Sequence, residues 1–189
     1  MVLKPRFAAG LQSYKKGFIL IMSEIKQGNF YFIKDNFYSI YDKDKKLVQN
    51  TGVNHNRPCF FAFKDPKKSN IFWCVPISSK VVKYARIYNE KIENQTKKGI
   101  NNPKCNTILF GKVKGEEKAF LIQNIFPVIE KYILNCYIYK NNTPVTVAPQ
   151  TANEIIENAK DVLKLVRSGN PNLVQADIRK IYDSLCDEL

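Results

Sequence analysis

"RPCFFAFKDPKKSNIFWCVPISSK", residues 57–80, decides how this chain folds. Two apolar runs, Cys59 to Phe63 and Ile71 to Ile77, flank a charged seven-residue turn that contains Pro66. Runs this short and aromatic read as strands, and a turn of that length joins antiparallel neighbours. The second run is almost continuously apolar, which predicts a strand covered on both faces. Pro58 suits the opening of the first strand, where a missing N–H is tolerated.

The second strand ends on Ser78, Ser79 and Lys80, followed by Val81, Val82, Ala85, Tyr88 and Ile92 at helical spacing. Two readings stay open there. A serine side chain caps the helix, as serine does at many helix starts. Alternatively the hydroxyls, the lysine and the N–H groups of the helix start grip a phosphate.

Outward from this unit the chain alternates strand and helix. "NFYFI" reads as a strand, with Asp35 as the N-cap of a short helix carrying Phe37, Tyr38, Ile40 and Tyr41. Downstream, "NTILFGKVKGEEKAFLIQN" reads as strands around a turn at Gly115, and "IFPVI" as one more. That makes five or six strands. Thr151-x-x-Glu154 has a capping-box pattern, and Ile155, Ile156, Ala159, Val162, Leu163 and Val166 form an apolar stripe ending near Gly169. A last helix follows over about Leu173 to Leu185. The stripes of both helices are expected to dock on the sheet.

Composition narrows the partners. With 189 residues, 44% hydrophobic and 12% aromatic, the chain can bury its own core. No apolar run approaches the roughly 20 residues a membrane helix needs, so a soluble cytoplasmic protein without membrane contact is expected. Net charge is +13, yet residues 151–189 carry five basic and seven acidic side chains, which leaves +15 on the rest. A cationic body beside an ordinary tail fits a polyanion, because each neutralised phosphate releases a counterion. Five cysteines without C-x-x-C spacing read as reduced thiols, and a single histidine, His55, makes a His/Cys metal site a poor fit; no cofactor or metal is expected. Residues 1–21 carry four basic residues and no acidic one, and Met22 is an alternative start; the expected organisation is a leader of doubtful status, 1–21, then one domain, 22–189, whose part 151–189 is helical.

Metal-independent RNA cleavage suits such a chain. The substrate's own 2′-hydroxyl is the nucleophile, so cations and hydroxyls can supply much of the catalysis, and DNA, lacking that group, is spared. The order "GNFYFIKDNFYSIY", "NRPCFFAF", "CVPISSK", "FLIQNIFPVIEKYI" and two final helices resembles the ToxN/AbiQ/CptN family of type III toxin–antitoxin endoribonucleases, CptN above all. The resemblance spans about Phe30 to Leu185 and implies an α+β fold: a compact, strongly twisted antiparallel sheet similar to Kid and MazF, of small-barrel character, with inserted helices and two C-terminal ones. It also implies cleavage of cellular RNA to 2′,3′-cyclic phosphate ends, a role in phage defence by abortive infection, and inhibition by a repeat RNA pseudoknot in a closed toxin–RNA assembly.

Under that resemblance Ser78 and Ser79 form the hydroxyl pair, Lys80 or Lys83 is its lysine, and Arg57 stands for the basic residue leading the strand, a good phosphate clamp and a poor proton shuttle. His55, two residues from Arg57, is a proton-transfer candidate or a plain loop histidine. Tyr31 and Tyr38 are candidate stacking faces or core residues. Lys34, Lys64, Lys67, Lys68, Lys83 and Arg86 are candidate phosphate contacts. The competing reading is a non-catalytic RNA-binding protein.

Overall fold

The hairpin expected from residues 57–80 is the centre of the fold: β2 (Cys59–Lys64) pairs antiparallel with β3 (Ile71–Ser78), with Cys59 opposite Pro76 and Lys64 opposite Phe72. The computed structural model describes residues 24–47 and 57–189, so the leader, Met22 and His55 lie outside the described residues. All eight residues of β3 are buried, as its apolar run predicts. A register shift between Phe61 and Phe63 marks a bulge in β2, which bends and twists the hairpin.

Around this hairpin run β1 (Phe30–Ile33), β4 (Leu109–Val113), β5 (Glu116–Phe120), β6 (Phe126–Ile129) and β7 (Ile133–Cys136), every pairing antiparallel, in the order β4-β5-β3-β2-β1-β7 with β6 also on β3. Seven strands are thus present among the described residues, against five or six expected. The short β7, Ile-Leu-Asn-Cys, is only partly buried, with Leu134 exposed, and is not among the strands expected.

Pro76 explains how β3 changes neighbour. Its first half, Ile71 to Cys74, pairs with β6, and Ile77 and Ser78 pair with β5. Pro76 lies in the gap between the two ladders, where its missing N–H removes no bond to either. β3 therefore has β2 on one edge and β6 then β5 on the other, and its last residues emerge between β2 and β5.

Four helices complete the described residues: α1 (Asp35–Tyr41), α2 (Val81–Lys97), α3 (Pro149–Arg167) and α4 (Ile178–Cys186). Helix α1 starts with Lys34 as its N-cap and Asp35 already inside, one residue away from expectation. In α3 the capping box is not used: Ala148 is the N-cap and Pro149 opens the helix, a position that wastes no hydrogen bond. The predicted stripe from Ile155 to Val166 is buried in full, and Gly169 takes φ +108 just past the end. Helix α3 lies on β2 and α4 on β6.

Helix α2 forms at the expected spacing but is packed less deeply than the C-terminal helices. None of its residues is buried, and Val82 is 86% exposed. It is held in part by Lys91, whose Nζ donates to Thr107 Oγ1 at 2.7 Å and Gln123 Oε1 at 2.9 Å. Partial burial lowers the pKa of Lys91 below the ordinary lysine value. Tyr88 adds an edge contact to Phe110 at 5.9 Å between ring centroids.

One buried carboxylate ties the hairpin turn to both C-terminal helices. Asp65 accepts from Trp73 Nε1 at 2.9 Å, from the backbone N–H of Lys67 and Lys68, from Arg167 at 2.9 Å and from the Tyr182 hydroxyl at 3.1 Å. Burial alone would raise its pKa; the hydrogen bonds led by Trp73, with the Arg167 charge, outweigh that and hold the carboxyl below its usual range. Trp73 and Tyr182 also stack, 6.0 Å apart.

Candidate functional site

The end of β3 opens a cleft of about 400 Å³, lined by Arg57, Pro58, Ile77, Ser79, Val113, Lys114, Glu116, Lys118 and Tyr137. Its floor is the polar end of an apolar face. Alternation puts Val75, Ile77 and Ser79 on one side of β3, and below them the fully buried rings of Phe30, Phe60 and Phe120 meet at 5.4 to 6.3 Å. An aromatic base of this kind leaves the backbone around Ser79 little freedom to shift.

The same alternation separates the two serines. Ser79 is exposed at the cleft, while Ser78 is 4% exposed and turned to the other face. Ser78 Oγ accepts from the Lys80 backbone N–H at 3.2 Å, closing the turn that leads into α2. The cleft therefore holds one alcohol of the expected pair, and the other shapes the backbone beneath it. The helix-cap reading does not hold in its plain form: Lys80 is the N-cap of α2 and no side chain caps the helix, and Ser78 bonds the N–H of that cap residue instead.

Arg57 lines the cleft just ahead of β2. Lys80 does not line it: this lysine is exposed at the N-cap of α2, and Lys83, one turn on, lies 5.6 Å from the Tyr84 ring. The cleft's lysines come from the β4–β5 hairpin. Lys114 and Gly115 both have positive φ, +54 and +82, which is the backbone of a two-residue type I′ turn. The turn brings Lys114 Nζ to 4.9 Å and 5.1 Å from the ring centroids of Tyr137 and Tyr139, within cation–π range. Lys118 Nζ sits 2.6 Å from Glu116 Oε2, and the ammonium holds that carboxyl below the usual carboxylate range.

Burial removes two candidate stacking faces. Tyr31 and Tyr38 are 4% and 6% exposed, so neither ring has a free face for an unpaired base. Tyr38 packs beside Cys59, whose thiol is pushed up to about 12 by burial. Lys34 donates to the Lys131 carbonyl at 2.7 Å, and Arg86 pairs with Glu90 at 3.6 Å on the exposed side of α2. Lys67 and Lys68 sit in the exposed turn around Asp65.

Lys64 belongs to a second, larger concavity of about 920 Å³ between β2, α3 and residues 24–27. Its lining includes Phe61, Phe63 and Leu163, with Lys26, Lys64, Lys160, Lys164 and Arg167 around them. Sequence reasoning missed Lys114, Glu116, Lys118 and Tyr137. The turn at Gly115 was visible, but nothing local states against which strand that hairpin docks.

No protein-family model and no curated protein sequence matches this chain. Its fold is similar to that of a chain in a solved structure described as bacterial type III toxin–antitoxin systems with selective toxin inhibition by a non-coding RNA pseudoknot. The TM-score is 0.55 at 16% identity, covering 86% of this chain and 98% of that one. At that identity the likeness speaks for the fold. Among the described residues no helix is long and apolar enough to cross a membrane.

Proposed function

We propose that this protein is an endoribonuclease toxin of a type III toxin–antitoxin system that cuts RNA without a metal and is inhibited by direct binding of a repeat RNA pseudoknot. The observation that carries the reading is the convergence of Ser79, Arg57 and two hairpin lysines in one cleft, within a fold similar to that of a type III system. The ribose 2′-oxygen bonds to phosphorus as its proton leaves, the bond from phosphorus to the 5′-oxygen breaks, and that oxygen takes up a proton. The products end in a 2′,3′-cyclic phosphate and a 5′-hydroxyl. Ser79 Oγ orients the phosphate or the 2′-hydroxyl, and Arg57 clamps a non-bridging oxygen. Ser78 holds the turn that presents Ser79. His55 is a proton-transfer candidate on sequence grounds.

The finer family placement belongs to the same proposal: closest to CptN, a sheet twisted as in Kid and MazF, one domain over 22–189, a cytoplasmic location, a closed toxin–RNA assembly, and a part in phage defence. Incubation of the purified protein with RNA in EDTA tests it. Fragments with 2′,3′-cyclic phosphate ends support the enzyme, together with loss of cleavage in a folded Ser79→Ala variant. RNA binding with no cleavage supports the competing non-catalytic RNA-binding protein.

A further inference from the structure

We propose that Lys118 is the catalytic lysine of the cleft, donating to the scissile phosphate across from Ser79, and that Glu116 is the residue that positions it. This rests on the reading of the cleft as an RNA-cleaving site.

Register is the main argument. Ile77 pairs with Phe120 and Ser78 with Ala119, the last pair of this ladder; Ser79 follows Ser78 and Lys118 precedes Ala119, so the antiparallel pairing brings both to the same end of the ladder. Alternation along β5 puts Lys118 on the face of Phe120, the residue that pairs with Ile77. Lys118 and Ser79 both line the cleft. Lys80, though adjacent to Ser79 in the chain, is not part of that lining.

Restraint is the second argument. The Lys118 side chain is 18% exposed, unusually low for a lysine at a cleft, and its ammonium bonds Glu116 at 2.6 Å. Residues 116 and 118 alternate onto one face of β5, so the pair is built by the strand itself. An ammonium has three donors; Glu116 takes one, which leaves two for a phosphate oxygen and for Ser79 or water. A free lysine must lose side-chain entropy to meet a transition state, and a lysine already tethered loses less. Lys114 rests instead on tyrosine faces. Lys118 neither gains nor loses a proton here: it stabilises the charge that grows on the non-bridging oxygens while the 2′-oxygen attacks.

Single-turnover cleavage by the purified full chain tests this, with oligoribonucleotides carrying sulfur at either non-bridging oxygen of the scissile phosphate. Lys118→Met is expected to slow cleavage about 10²–10³-fold, the usual loss for one oxyanion donor, while RNA affinity changes less than about threefold. Sulfur at the oxygen that Lys118 contacts slows the parent and has no added effect in Lys118→Met. Lys118→Arg, which keeps charge and fold, is expected to restore the rate to within about tenfold of the parent. Glu116→Gln is expected to lower kcat about 3–10-fold with KM unchanged, and to add nothing in the Lys118→Met background, as coupled residues behave.

Cleavage by a folded Lys118→Met near the parent rate, or with unchanged sulfur effects at both oxygens, overturns the lysine assignment and leaves the enzyme reading intact. Additive losses in the double variant overturn the role of Glu116. A parent protein that cuts no RNA removes the enzyme reading and this proposal with it.

Discussion

The cleft at the end of β3 and the groove under α3 are both cationic, yet they are built differently. In the cleft the charged groups come from β5, a two-residue turn and Arg57 just ahead of β2, stand over phenylalanine rings packed edge to face, and surround one exposed alcohol. The groove is more than twice as large; Lys160, Lys164 and Arg167 recur on one face of α3 at helical spacing, above Phe61 and Phe63. Strand-borne groups are held to a fraction of an ångström, as chemistry requires. Long lysines on a helix surface attract a polyanion without fixing where its atoms lie. Net charge alone cannot separate these two kinds of cationic surface.

The widest separation is expected from Asp65, which braces the groove side of the fold. Asp65→Ala leaves Trp73 Nε1, the Tyr182 hydroxyl and Arg167 without their acceptor and should cost about 3 kcal/mol of stability, the low end for a broken buried pair because Arg167 is 47% exposed. Thermal melts would show it. Because the native carboxyl titrates below its ordinary value, its contribution is present above about pH 4, the unfolded value, and disappears as pH falls through the lowered native one. Asp65→Asn should flatten that acid limb. A melt unaffected by either substitution would leave the groove wall without its brace.

Arg57→Gln comes next, with cleavage expected to fall about 10²-fold at saturating RNA and the melting temperature nearly unchanged. Loss of binding instead of rate would place Arg57 with the groove residues. Neutralising Lys64, Lys160 and Lys164 together should leave the rate at saturating RNA alone, weaken binding about tenfold, and reduce the salt slope by about 2, at roughly 0.7 per charge for a single strand. An unchanged slope would take the groove out of the RNA footprint. Lys80→Ala should do least, less than threefold in rate; a hundredfold loss would return the catalytic role to the residue beside Ser79 in the chain.

Periodicity made the strands legible wherever burial is local. The continuous apolar run of β3 and the stripe of α3 have the surroundings that their patterns predict. Helix α2 shows the limit: its apolar spacing is real, but its inner face is only half-buried against β5, and a polar anchor through Lys91 helps to hold it. The capping box of α3 fails for a related reason. Thr151 lies in the first turn instead of at the cap because Pro149 begins the helix first, and a methyl of Thr151 packs where any side chain on Gly111 would have to go, 2.8 Å away.

The amino-acid order by itself determined the β2–β3 hairpin, the placement of Ser79 at a strand end, the cationic body and the two docked C-terminal helices, because each depends on neighbours a few residues apart. Which serine enters the cleft followed from the alternation of β3 once its faces were known. That Lys118 and Glu116 stand beside Ser79, some forty residues away in the chain, was decided only by tertiary structure. Pro76 ends the ladder with β6, and the register of β5 against the last residues of β3 is a long-range pairing on which no local pattern of charge or hydrophobicity bears.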